Sequence, residues 1–329
     1  MSKSPIAVLF CTDNNYWQHM GATLASLLNS NGRHQFRIMV CSLEPNPANE
    51  MKIRQIAREF GNATVEFILF TPKHREALPV DRYISLGAYL RLFVTEYVDP
   101  KLEKLLYLDS DLIIRKDIQA LWSADIDAYF AAAAVEPRFH ENPGIVPGEP
   151  YFNSGVMLIN LSRWREAGLV DQFISCAKEK FSVLPYWDQD ILNIVLRGQV
   201  AFLSPRWNFH AIYAELLPEQ LGMTRDEFSS VRKNPDIIHF TSKDKPWHYI
   251  PEPQYKRRYW EALSCTPWKG AVPVGYTRGN ALRKMLKMKR LKQQVRLHGA
   301  RSFAVLSRLV RRPVLWSDVA PPPNHLTLA

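Results

Sequence analysis

The chain has 329 residues, 47% of them apolar and 12% aromatic, enough for one large core, which excludes an intrinsically disordered protein. Its four cysteines, Cys11, Cys41, Cys176 and Cys265, are scattered without a C-x-x-C pair; this argues against a disulfide scaffold or structural zinc site and fits a reducing cytoplasm. The formal charge of +10 is uneven: between Glu261 and Asp318 there are thirteen Lys or Arg and no acid, leaving the rest of the chain with 29 basic against 32 acidic residues.

The first apolar run, Ile6 to Cys11, is too short for a signal h-region, and no stretch reaches the roughly 18 to 20 apolar residues of a spanning helix, so the chain is expected to be neither exported nor transmembrane. Short β-branched runs predict strands at residues 6–12, 36–43, 65–70, 105–114 and 129–135, and helical periodicity predicts helices at 17–29, 49–60 and 85–97. That alternation is the pattern of a mainly parallel, buried sheet. Residues 151–161 then read as a strand, 162–181 and 188–197 as helices, and 200–204 and 237–241 as strands, giving an α/β fold with a mixed sheet. The first strand is followed by no glycine-rich phosphate motif.

Residues 246–275 are rich in proline and tryptophan. Over 280–309, Ala281, Met285, Met288, Leu291 and Val295 gather on one side of a basic amphipathic helix. The expected division is a domain over 1–250 and a segment over 251–329 holding the Pro/Trp-rich stretch and the basic tail. The tail has three readings: a solvated extension, a nucleic-acid arm, or a contact with anionic lipid. Trp260, Trp268 and Trp316 beside a cationic amphipathic helix favour lipid, so no nucleic-acid partner is expected.

The sharpest chemical feature is Lys104-Leu-Leu-Tyr-Leu-Asp109-Ser-Asp111-Leu-Ile-Ile114, two carboxylates inside an otherwise apolar run. In an extended strand the period of two puts both on one face. Unpaired, they would repel and pay heavy desolvation, so a divalent cation is their natural resident, one that could neutralise a diphosphate leaving group. D-x-D also arises by chance in solvated turns; the apolar flanks favour the cation.

Other polar residues have plain readings when taken alone. Asp13 suits the N-cap of the following helix, His239 a satisfied core histidine, Arg91 a surface arginine and Asn153-Ser154-Gly155 a turn. Asp188 and Asp190 suit the first turn of a helix, where acids favour the macrodipole.

Taken together, residues 5 to 250 resemble glycosyltransferase family 8, the retaining group that includes lipopolysaccharide galactosyl- and glucosyltransferases and glycogenin. Beside Asp109-Ser-Asp111, the resemblance rests on His239-Phe-Thr-Ser-Lys-Asp-Lys245-Pro-Trp247, similar to the family's H-x-x-G-x-x-K-P-W but with Ser242 in place of the glycine. It also rests on Ser85-Leu-Gly-Ala-Tyr89-Leu-Arg91, on Tyr151-Phe-Asn153-Ser154-Gly155, and on Trp187-Asp188-Gln189-Asp190-Ile-Leu-Asn193, similar to D-Q-D-x-L-N.

The resemblance implies a GT-A, Rossmann-like nucleotide-sugar fold. Asp109, Asp111 and His239 would hold manganese, with magnesium as the alternative, against the diphosphate of UDP, and Lys245 would add a point charge. Asp13, Asn15 and Tyr16 would contact uracil and ribose, Arg91 the sugar or phosphates, and Asn153 and Ser154 the hexose pocket. Asp188, Gln189 and Asp190 would lie beneath the reacting sugar.

The implied activity is transfer of galactose or glucose from a UDP-sugar to a glycan, lipopolysaccharide core or oligosaccharide; the basic tail in turn predicts an enzyme held at the inner face of the cell membrane. An amide is a poor nucleophile, so same-face substitution with Gln189 stabilising an oxocarbenium-like state is preferred to double displacement through Asp190. A metal-dependent nucleotide-sugar hydrolase and a non-catalytic carbohydrate-binding protein are the competing functions.

Overall fold

The computed structural model describes residues 4–71, 86–136, 149–180, 184–211 and 213–286. The N-terminal half runs β1 (Ile6–Cys11), α1 (Trp17–Ser30), β2 (Phe36–Ser42), α2 (Pro47–Phe60) and β3 (Ala63–Leu69), then a 3-10 stretch (Leu86–Phe93), α3 (Val94–Tyr97) and β4 (Lys104–Leu108). After β4 come β5 (Leu112–Ile114), α4 (Gln119–Trp122), β6 (Ala131–Val135), β7 (Phe152–Asn160), α5 (Leu161–Glu166), α6 (Leu169–Lys180) and α7 (Trp187–Val195). The described chain continues through β8 (Val200–Leu203), α8 (Arg225–Lys233), β9 (Ile237–His239) and α9 (Lys256–Ser264).

Seven strands form one sheet in the order β3-β2-β1-β4-β7-β6-β8, and β5 pairs with β9 in a two-stranded sheet. β7 runs antiparallel to both its neighbours, and the other pairings of the large sheet are parallel. The mixed, mainly parallel α/β sheet is as expected. Its central strands are covered on both faces, which is why they read as unbroken apolar runs. In β1, Ala7 and Leu9 pack with Phe93 and Trp164 on one side, while Ile6, Val8 and Phe10 pack with Trp17, Leu24 and Ile53 on the other.

The strand expected over 105–114 is not continuous. β4 stops at Leu108, residues 110 and 111 turn, and β5 leaves to pair with β9. Thr23 of α1 fixes that break: its hydroxyl lies 3.0 Å from the Ser110 carbonyl and 2.8 Å from that of Leu112, and accepts from the Leu112 amide at 3.1 Å. The carboxylates of Asp109 and Asp111 therefore converge through a turn and not through strand periodicity. The helix expected over 162–181 is split by Gly168, whose φ of 59° favours glycine.

Beyond residue 250, α9 packs on α1 and β5, burying Tyr259 and Leu263 against Ala22, Ile113, Ile238 and Trp247. A Cβ on Gly21 would lie 2.5 Å from Cζ3 of Trp268, so glycine lets that indole lie against α1. Trp260 donates its indole N–H to the Pro246 carbonyl at 3.1 Å. Trp260 and Trp268, expected at a membrane interface, are thus half-buried against the protein body. Residues 278–286 are helical; the rest of the helix expected over 280–309, with Met288, Leu291, Val295 and also Trp316, lies outside the described residues. Among the described residues no helix is long and apolar enough to cross a membrane.

Candidate metal and donor site

The chain reversals after β1 and β4 and the end of β9 meet at one edge of the sheet, where open α/β sheets bind ligands. Asp109 is held there by its backbone amide, which donates to the Gly155 carbonyl at 2.8 Å. One ligand atom each from Asp109, Asp111 and His239 lies within 4.8 Å of the other two.

Their outer atoms are pinned. Oδ1 of Asp109 accepts from Arg91 Nη2 at 2.9 Å and from the Tyr107 hydroxyl at 2.7 Å, and Oδ2 of Asp111 accepts from Lys245 Nζ at 2.6 Å. Asp109 Oδ2 and Asp111 Oδ1 are left facing His239 Nε2 at 3.5 Å and 3.1 Å. Burial acts to raise the Asp111 carboxyl, but Lys245 and His239 beside it more than offset this and hold it well below the usual carboxylate range. Burial likewise acts to lower Lys245, and Asp111 reverses it, so the ammonium stays charged.

The cluster fits a divalent cation. Two carboxylate oxygens and an imidazole nitrogen are a donor set for such ions. Space is kept for them by Gly155, where a Cβ would lie 2.1 Å from His239 Cε1 and 2.8 Å from Asp109 Oδ2.

Around this centre the predicted donor residues are arranged unequally. Oδ1 of Asp13 accepts from the Asn15 amide at 2.8 Å, closing a turn two residues long; the N-cap of α1 is Tyr16, so Asp13 does not cap that helix. Asn15 is exposed beside it, and Tyr16 lies edge-on to Trp247 with ring centroids 5.8 Å apart. Arg91 is no surface arginine. Its guanidinium reaches Asp109, lies 3.0 Å from Asp188 Oδ2 through Nε, donates to the carbonyl and hydroxyl of Ser154, and stacks over Tyr107.

Gln189 sits beside Ser154: its Oε1 accepts from the Ser154 amide at 3.0 Å and its Nε2 donates to the Tyr151 hydroxyl at 3.2 Å. Asp190 has no solvent exposure; it accepts from the Tyr151 hydroxyl and the Tyr186 amide, each at 2.6 Å. Burial pushes the Asp188 carboxyl up to about 6, against the pull of Arg91. Asn193 clamps α7 to β7, its amide exchanging two hydrogen bonds with the Phe152 backbone at 2.8 Å and 2.9 Å.

Asn153 is buried, and its side chain bonds to the Gly155 amide, Asn208 and Glu136. The structure thus gathers Asp109, Asp111, His239, Lys245 and Arg91 in one cluster, with Ser154, Gln189 and Asp188 adjoining through Arg91. It adds Tyr107, Tyr151 and Asn208, to which the sequence assigned no role. Tyr107 had a signal, standing on β4 two residues before Asp109, which directly follows that strand.

Residues 7–251 match the profile of glycosyl transferase family 8. Over 271 residues the chain is 30% identical to General stress protein A of Bacillus subtilis (strain 168), covering 79% of this chain and 94% of that protein. It is 29% identical over 279 residues to the lipopolysaccharide 1,2-glucosyltransferase of Escherichia coli (strain K12), covering 81% and 80% of the two. Among solved structures, the galactosyltransferase LgtC in complex with donor and acceptor sugar analogs superposes with a TM-score of 0.70 at 26% identity, covering 84% of this chain and 100% of that one.

Proposed function

The chain belongs to glycosyltransferase family 8, and from that premise we propose that it moves a hexose, galactose or glucose, from UDP to a glycan of lipopolysaccharide or oligosaccharide type with retention of configuration. The observation that carries this reading is the convergence of Asp109, Asp111 and His239 with Lys245 at one sheet edge. The similarity to a lipopolysaccharide glucosyltransferase and to LgtC supports the hexose and the acceptor class.

Asp109, Asp111 and His239 would hold manganese, or magnesium in its place. Such a cation supplies charge neutralisation to a diphosphate and so makes UDP a better leaving group. Lys245 adds a cation on the diphosphate side, and Asp13, Asn15 and Tyr16 stand at the end of β1 for the nucleoside. Gln189, held by Ser154 and Tyr151, offers a fixed dipole to positive charge developing at the anomeric carbon. The departing phosphate takes the proton of the acceptor hydroxyl on the same face. Asp190 is spent on Tyr151 and Tyr186, which disfavours a covalent intermediate there.

The enzyme would work at the periphery of an anionic membrane. In support, Ile250, Val272, Val274, Tyr276, Leu282, Met285 and Leu286 are exposed near Arg278 and Arg283, just before nine further Lys or Arg of the tail.

The test is release of UDP from a panel of UDP-hexoses with and without manganese, comparing wild type with Asp109→Ala/Asp111→Ala. Metal-dependent turnover that the double variant abolishes is expected, and the panel names the sugar. A wild-type protein that neither turns over nor binds any UDP-sugar with metal present refutes the reading.

A further inference from the structure

Asn208 lies between β8 and β9 and is wholly buried. Its place beside His239 is set by the backbone, since the His239 amide donates to the Phe209 carbonyl and the Phe209 amide to that of Ile237. The orientation of its amide follows from a backbone donor. The Gly155 N–H lies 3.0 Å from Oδ1 of Asn153, so that atom is an acceptor. Asn208 Nδ2 stands 2.8 Å from the same oxygen and donates to it, which turns Asn208 Oδ1 toward His239 Nδ1 at 2.8 Å.

An amide oxygen only accepts, so Nδ1 of His239 carries a hydrogen and Nε2 is the nitrogen turned between the carboxylates, the one left to bind a cation. The side-chain nitrogen of Asn153, Nδ2, donates to Glu136 Oε2 at 3.4 Å, and that oxygen also lies 3.0 Å from His210 Nε2. The relay is thus anchored at its far end by a buried pair.

We infer that Asn208 is a positioning residue for the cation: it selects the metal-binding tautomer of His239, and Asn153 fixes the amide that does so. This rests on the reading of Asp109, Asp111 and His239 as a cation site. Outer partners of this kind set the ring orientation and basicity of a ligating histidine.

Two measurements on the full chain test it. Long-range 1H–15N NMR of the histidine rings reads the tautomer in the metal-free protein at about pH 8, and calorimetric titration with manganese chloride in the presence of UDP reads affinity. The wild type should show His239 with its hydrogen on Nδ1. Asn208→Leu should bind manganese roughly 10 to 100 times more weakly than wild type.

A wild-type His239 with its hydrogen on Nε2 alone, or unchanged affinity in a folded Asn208→Leu protein, overturns the inference. If Asn208→Leu does not fold, the wild-type spectrum still decides. A wild type that binds no manganese with UDP overturns the inference together with the cation reading; the tautomer, read without metal, tells that failure from a failure of the relay.

Discussion

A methyl group on Gly155 would lie 2.1 Å from Cε1 of His239, closer than any side chain tolerates. Gly155 sits in β7 with an ordinary backbone, so its requirement is space and not conformation. Gly155→Ala should cost about 1 to 3 kcal/mol of stability through overpacking. By moving the imidazole it should also lower kcat/KM on the order of 10²-fold. Urea denaturation and turnover with manganese check the two effects. A folded variant with wild-type turnover and manganese affinity would show that His239 need not stand where it does.

Gln189 and Asp190 are neighbours in sequence with different duties, and substitution should separate them. Gln189→Ala, which touches a half-buried side chain, should leave the fold intact and lower kcat on the order of 10²-fold. Asp190→Asn places an amide against a hydroxyl and a backbone donor that both need an acceptor, and should cost about 2 to 4 kcal/mol in urea denaturation. Product NMR on the Gln189→Ala enzyme should still show retention. An inverted anomer would sink both the same-face route and double displacement.

His19 links the donor edge to α9. Its ring stacks on Trp247 at 3.5 Å and its Nδ1 lies 2.7 Å from the Tyr259 hydroxyl. Burial lowers its pKa to about 4, against the opposing pull of Asp111. The folded state therefore takes up this proton at lower pH than the unfolded chain, whose histidine titrates near 6.5. The sign follows: the contribution is intact above about pH 6.5 and is lost as pH falls toward 4. Between pH 7 and 5 the wild type should lose about 2 kcal/mol more than His19→Gln, measured by urea denaturation. Equal losses in the two proteins would show that His19 is not held neutral.

The parallel order of β1, β2, β3 and β4 was legible because strands covered on both faces leave unbroken apolar runs, and helices cover them in regular alternation. The carboxylate pair was legible as chemistry but not as geometry. The break that aims Asp109 and Asp111 comes from Thr23, some 87 residues from Ser110 along the chain, and no local pattern encodes it.

α8 escaped notice for a different reason. Thr224 and Glu227 form a capping box that the sequence displays, yet Phe228 is the one buried residue of the helix, so no apolar stripe announces it. The division of labour within Asp188-Gln189-Asp190 depends on helix phase: successive side chains turn to Arg91, to Ser154 and to the Tyr186 amide. Asn208 had no signal of its own, since its role exists only once β9 lies beside residue 209.

The tail can be tested without disturbing the body. The backbone of Val274 exchanges bonds with Trp247 and Tyr249, so a chain ending at Gly270 loses contacts next to the Lys245 loop. A chain ending at Leu286 keeps those contacts and drops nine cations, Lys287 to Arg312. Near an anionic surface each Lys or Arg contributes about 1 kcal/mol at most. The form ending at Leu286 should therefore release UDP from the sugar donor at the wild-type rate when given a soluble acceptor, yet co-sediment far less with vesicles containing phosphatidylglycerol. Raising the salt should weaken the binding of the full chain. Undiminished vesicle binding by the shortened form would move the membrane contact off the tail and onto the exposed apolar residues between Ile250 and Leu286.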